Sequence, residues 1–436
     1  MQLLKPLIYI VLVFALFPCL TAQSSPVIGR EHIRASVYVE RGVGKFRERN
    51  YEGAMADVEI AIQIAPEHGQ AYYSRAWMKF ELGGFEQARG NSQGADTHYR
   101  AAIEDYTQVT VLTPECFDAY IYLGGVKLTR GELAAAGGTA AAAERYYWAA
   151  IEDCSQAIDI APENATAYSY RGAAKTRLGE SAAARGSLAA AERYYWAAIE
   201  DCSQAVAIAP DNASAYSNRS NPRVLLGVLE GMKGDTEAAQ RHYAAALRDC
   251  ERAVALRPEN PIVHINRSWT RVKLGESKEA LGAVEAARQT YQLAIADCDQ
   301  AVSLSRQNTY AYQYRGDAKV KLAALETADG NPQAARQAYQ SAVADCDQAV
   351  TLNPKNATAF YTRGTAKAGL MQHTEAITDF DTAIDIKPDY AEAYYARGLS
   401  KQTLDQDPAA QVDFQKARTL NPNVEKLYRF GKGAGK

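Results

Sequence analysis

Two apolar stripes at helical spacing, a polar turn between them and a proline after the second form a pattern that returns along most of this chain. Residues 393–426 carry it in short form. Leu399 and Leu404 mark the first run, and Val412, Phe414, Ala417 and Leu420 mark the second, which stops at Asn421-Pro422. Proline closes nearly every copy, at Pro66, Pro114, Pro162, Pro210, Pro258, Pro354, Pro388 and Pro422. Proline removes a backbone donor and restrains the residue before it, so each copy predicts two helices, a stop and a turn into the next pair.

The copies keep a fixed interval. AAAERYYWAAIEDCSQA occurs at 141–157 and again at 189–205, 48 residues on. Cys154, Cys202, Cys250, Cys298 and Cys346 hold the same beat, which Tyr106 and Val58 extend backwards by 48 each and Phe380 and Phe414 forwards by 34 each. The array therefore divides into 37–70, 71–118, 119–166, 167–214, 215–262, 263–310, 311–358, 359–392 and 393–426. Residues 1–22 and a lead-in at 23–36 precede it, and a basic, Gly-rich tail at 427–436 follows. A fixed period of this size is the signature of a solenoid, where each unit buries its apolar face against its neighbours and no central core is needed.

The six middle units carry 14 extra residues, with glycine at one fixed place: Gly90, Gly138, Gly186, Gly234, Gly282 and Gly330. Asn91, Thr139, Ser187, Asp235 and Asn331 follow five of them, which is the grammar of a helix end followed by an N-cap. The insertion is thus expected to lengthen both helices by about seven residues, close to two whole turns, so the apolar face stays in register.

These residues resemble the tetratricopeptide repeat family, whose unit is a 34-residue helix-turn-helix. The resemblance rests on a helix-A aromatic at Tyr38, Tyr72, Tyr120, Tyr168, Tyr216, Tyr312, Phe360 and Tyr394, with His264 in the remaining unit. It rests also on a small residue four places later and on an alanine in helix B before the closing proline. It implies an all-α fold, a right-handed α-solenoid of helix-turn-helix repeats. It implies further that a protein or extended peptide lies along the concave face lined by helix A. On that face the candidate ligand-binding residues are Tyr73, Trp77, Tyr122, Tyr170, Arg177, Asn218, Asn221, Asn266, Trp269, Lys273, Tyr314 and Lys321. Trp77 and Trp269 are open to a second reading, as packing residues against a neighbouring unit. Pro222 breaks the pattern inside a helix A and is expected to kink it near Asn218.

Charge follows the repeat. Arginine recurs in helix A at 41, 75, 171, 219, 267, 315, 363 and 397, with Leu123 the exception, and a second basic residue stands four places later. Aspartate precedes the core residue of helix B at 57, 105, 153, 201, 249, 297, 345, 379 and 413. An internal ion-pair ladder is expected; a basic groove for acidic ligands is the alternative. The net charge of −3 argues against a nucleic-acid binder, and the six histidines show no metal-ligand spacing. No cofactor is expected. No Gly-rich phosphate loop or nucleophile–histidine pair stands out, so the chain reads as a non-catalytic scaffold. The alternative is a structural subunit that self-associates end to end through Val412, Phe414 and Leu420 of the last helix.

Residues 1–22 read as a signal peptide, with Lys5 before the apolar run Leu7–Phe17 and a small-residue site at Ala22. Cleavage there would give an exported, periplasmic or secreted chain; an uncleaved membrane anchor is the alternative. The ladder cysteines occupy core positions a helix apart, too far for disulfides, so they should be buried free thiols. Cys116, in an inter-unit turn, is expected to be exposed. Five Asn-x-Ser/Thr triplets, at Asn164, Asn212, Asn218, Asn266 and Asn356, would matter only in a glycosylating host.

Overall fold

The computed structural model describes residues 29–422 and 424–425. The expected leader, its cleavage site and the tail lie outside them. Eighteen helices are described, and no strand occurs among the described residues. In chain order they are α1 (Arg30–Arg47), α2 (Tyr51–Ile64), α3 (Gly69–Ala88), α4 (Ser92–Leu112), α5 (Phe117–Ala136), α6 (Ala140–Ile160), α7 (Ala165–Ala184), α8 (Leu188–Ile208) and α9 (Ala213–Lys233). Then follow α10 (Thr236–Leu256), α11 (Pro261–Ala280), α12 (Val284–Leu304), α13 (Thr309–Ala328), α14 (Pro332–Leu352), α15 (Ala357–Gly369), α16 (His373–Ile386), α17 (Ala391–Thr403) and α18 (Asp407–Leu420). Odd-numbered helices are the A helices, and even-numbered ones the B helices. This is the all-α helix-turn-helix solenoid. No described helix is long and apolar enough to cross a membrane.

The chain forms two compact parts, one ending at Arg219 and one beginning at Ser220, the division falling inside α9 close to Pro222. In the first part, α1 packs on α3 and α5 on α7, as well as on their hairpin partners; in the second, α11, α13, α15 and α17 pack in succession. The A helices of each part thus form a close row, with the B helices set behind them.

Turn chemistry sets helix length. The helices of the last two hairpins run 13 or 14 residues, whereas α3 to α14 run 20 or 21. The long hairpins turn on the six glycines, whose φ lies between 75° and 91°, a region that costs side-chain-bearing residues about 1–2 kcal/mol. The short hairpins put Arg49, Met371 and Asp405 there instead, at φ 56–65°. Side-chain capping is sparser than the sequence suggests. Asn91 and Asp235 accept from Gly94 and Ala238, while Thr139, Ser187 and Asn331 make no such bond.

Small residues on helix A receive large ones from helix B. A Cβ at Gly124, Gly172 or Gly316 would fall 2.6–2.8 Å from the sulfur of Cys154, Cys202 or Cys346. The long hairpins add a second contact of this kind: the rings of Tyr99, Tyr147, Tyr195, Tyr243 and Tyr291 lie where a Cβ on Gly83, Gly131, Gly179, Gly227 or Gly275 would be 2.4–2.5 Å away. None of the six described cysteines is in a disulfide, and all six are buried. Cys116 is among them, contrary to its expected exposure: it stands at the N-cap of α5, and its sulfur joins the core containing Tyr73 and Tyr106. The last B helix also differs from expectation. Val412 is 66% exposed, but Phe414 is only 6% exposed because its ring fits against Gly398 and Tyr395.

Candidate functional site

The periodic charges face inward. Arg75 donates to both oxygens of Asp105 at 2.9 and 2.7 Å, and Lys79 adds a third contact at 2.8 Å. Arg41 and Lys45 on Asp57, Arg171 and Lys175 on Asp201, Arg267 and Arg271 on Asp297, Arg315 and Lys319 on Asp345, Arg363 and Lys367 on Asp379, and Arg397 and Lys401 on Asp413 repeat the arrangement. The nine aspartates are buried. Several arginines reach the preceding B helix as well, as Arg315 does to Asp299 at 2.7 Å and Arg397 to Asp381 at 2.6 Å. The helix-A aromatics lie beneath them, with the Arg171 guanidinium 5.4 Å from the Tyr168 ring centre. These cations are occupied in structure, so among the described residues they form a ladder and not a basic groove. Leu123 interrupts it, and Asp153 keeps only Lys127, at 2.7 Å. Burial, only partly offset by that lysine, pushes the Asp153 carboxyl up to about 6.

The candidate residues on the helix-A face fall into two groups, one in each compact part. In the first part, Tyr73 is buried, with its ring edge-on to Tyr106 and Tyr122 at 5.4 and 5.8 Å. Trp77 is half-buried and packs on Phe46 of the preceding hairpin, ring centres 5.0 Å apart. Tyr170 lies on the cluster of Ile121, Ala157 and Ile158, and Asn218 Nδ2 donates to the Ser169 carbonyl at 3.4 Å. Arg177 is held by two carboxylates, Glu132 at 2.7 Å and Glu180 at 2.9 Å. Burial would lower its pKa, but the two glutamates outweigh it and raise it. Glu81 is half-buried, and its carboxyl is raised by burial alone.

In the second part, Trp269 is half-buried against Val224, Tyr243 and Leu274, and Tyr314 packs on Ile265, Ala301 and Ala311. Asn221 and Asn266 are half-buried. Lys273 and Lys321 share Glu276, at 2.9 and 2.8 Å. Burial works against ionisation of Glu276, yet the two lysines prevail and hold it at about 2. Asp317 moves the other way, raised by burial with the same lysines only partly opposing it.

The face therefore presents aromatic rings seated on the core and cations already paired, with Tyr122, Tyr170 and Asn218 forming a row across successive A helices. Sequence reasoning named the cations and missed their carboxylates. A signal for them was present: Glu180 and Glu276 each follow a named cation by three residues, one turn along the same helix. It also missed Trp148 and Trp196, each 51% exposed on the B helices and so far more open than Tyr73.

Family models described as tetratricopeptide repeat match residues 86–165 and 232–309, and one described as TPR repeat matches 372–405. These matches support the tetratricopeptide repeat family. No curated protein matches. Among solved structures, the human IFIT1 dimer with m7Gppp-AAAA aligns at a TM-score of 0.51 and 14% identity, covering 91% of this chain and 80% of that one; the likeness is one of fold. A tetratricopeptide repeat protein from Parabacteroides merdae ATCC 43184 aligns at 0.41 and 17% identity, over 71% of this chain and 97% of its own. TTC0263, a thermophilic TPR protein of Thermus thermophilus, aligns at 0.36 and 20% identity, over 48% and 96%.

Proposed function

We propose that this chain is a non-catalytic, exported scaffold that binds a protein or extended peptide along the helix-A face. The row of Tyr122, Tyr170 and Asn218 carries the reading. Rings fixed on a core offer contact area at little entropic cost, and an amide beside them can bond an extended backbone. The paired cations fit a ligand chosen by shape and backbone contacts better than one chosen by its own carboxylates, because recruiting Arg177 would first require breaking its bonds to Glu132 and Glu180. The extra helix length of the middle hairpins deepens this wall. Export rests on the leader.

A pull-down from the exported fraction tests the proposal, using the chain and its Tyr170→Ala variant in parallel. The partner should be retained by the first and reduced at least about tenfold with the second, the scale of an interface hot spot. Equal recovery by both would remove this row from the binding surface. The N-terminal residue of the exported chain tests the leader separately: Gln23 is expected, and Met1 would indicate an anchor.

A further inference from the structure

The duplicated stretch places one set of side chains twice on the outer side of the first compact part. Trp148 on α6 and Trp196 on α8 are both 51% exposed, and the ring of Tyr194 stands edge-on to Trp148 at 6.1 Å. Half-exposed tryptophans are costly to leave in water, and a repeated pair on one face marks a contact surface more often than scattered apolar residues do. Their neighbours on that face are charged. Arg145 and Arg193 lie three residues before the tryptophans, and Glu152 and Glu200 lie four residues after. All four are exposed, and none makes an ion pair among the described residues.

Spacings of three and four residues put these charges one turn to either side of each indole, on its own helix face. The face is therefore banded: a basic row towards the helix N-termini, a tryptophan row in the middle and an acidic row towards the C-termini. A two-fold axis through the tryptophan row reverses the helix direction of a second copy. It lays indole on indole, sets the basic row of each copy against the acidic row of the other, and matches the offsets of about 4.5 and 6 Å to within about 1.5 Å. A parallel arrangement would oppose like charges. Two helices about 31 Å long offer a footprint of several hundred Å² per copy, the low end of what a specific interface buries.

We propose that this face pairs with a second copy of the same chain in an antiparallel, two-fold dimer centred on Trp148 and Trp196. Sedimentation velocity of the full-length protein over about 1–100 µM should resolve a monomer–dimer equilibrium. Trp148→Ala with Trp196→Ala should weaken it about 100-fold or more, with helical circular dichroism and cooperative urea unfolding retained, because half of each indole lies at the surface. Arg145→Glu with Arg193→Glu should also give monomers, as should Glu152→Arg with Glu200→Arg, and mixing the two variants should restore dimers. Val412→Asp separates this contact from end-to-end association and should change nothing. The proposal is overturned by a monomer at every concentration, by a dimer indifferent to the tryptophan pair, by charge-reversed chains that fail to pair on mixing, or by a dimer lost in Val412→Asp.

Discussion

Asp153 shows how much one residue matters in a repeated structure. Seven rungs keep an arginine beside their aspartate at the first basic place, from Arg41 on Asp57 to Arg397 on Asp413, but Leu123 fills that place beside Asp153 and is itself buried among Tyr73, Tyr99 and Val126. The Asp153 side chain is only 12% exposed, and one lysine does not offset its burial. The folded carboxyl at about 6 lies above its unfolded value, so the folded state binds the extra proton between about pH 4 and 6. The contribution of Asp153 to stability is therefore most favourable below that window and falls as pH rises through it, the reverse of an ordinary paired carboxylate. Leu123→Arg should rebuild the rung, since Arg75 and Arg171 fit the same place in the neighbouring hairpins. The expected result is a gain of about 1–3 kcal/mol at pH 7.5 and a shallower pH 4–6 dependence than in the unaltered chain, read from urea midpoints, with the share of Glu81 and Asp317 remaining. An unchanged profile would mean that Asp153 is solvated.

At the scale of the element, long and short hairpins differ in one packing device. Each B-helix tyrosine of the middle hairpins needs a glycine opposite, and the sequence of α13 tests the need. There Ala323 occupies the glycine's place, and Tyr339 turns to Gly369 on the following A helix, whose Cβ would lie 2.5 Å from its ring. Gly131→Ala offers Tyr147 no prepared alternative, so it should cost about 1–3 kcal/mol, measured by urea unfolding. Gly84→Ala, where a Cβ meets nothing within 4 Å, is the matched control and should be neutral or slightly stabilising. Helix existence, the positions of the long turns and the inward ladder were legible in the sequence because each rests on a local rule repeated at fixed spacing. The placement of Tyr73, Trp77 and Trp269 was not. One register serves both the face and the seam between adjacent A helices, and only the neighbouring hairpin decides which side of a ring is covered. Cys116 failed for a related reason: turn sequence predicts chain direction and says nothing of a side chain folded back beneath the next helix.

At the scale of the whole molecule, the thiols report on each compact part. Cys116, Cys154 and Cys202 belong to the first, and Cys250, Cys298 and Cys346 to the second. Burial raises the Cys250 thiol to about 11 and the Cys298 thiol to about 12, and it raises Cys154 and Cys346 as well, so neither access nor thiolate is available in the folded state. A solenoid's stability is a sum of local and nearest-neighbour terms, so a weak rung lowers the stability of its own neighbourhood first. The interrupted rung at Leu123 and Asp153 lies among the three thiols of the first part. Alkylation across a urea series, mapped by mass spectrometry, should therefore leave all six thiols unlabelled at zero urea. It should then label Cys116, Cys154 and Cys202 at lower urea than the other three, and Leu123→Arg should narrow that gap. Simultaneous labelling of all six would show that the two parts unfold as one cooperative unit. Early labelling of Cys250, Cys298 and Cys346 would place the weakest neighbourhood in the second part and away from the missing arginine.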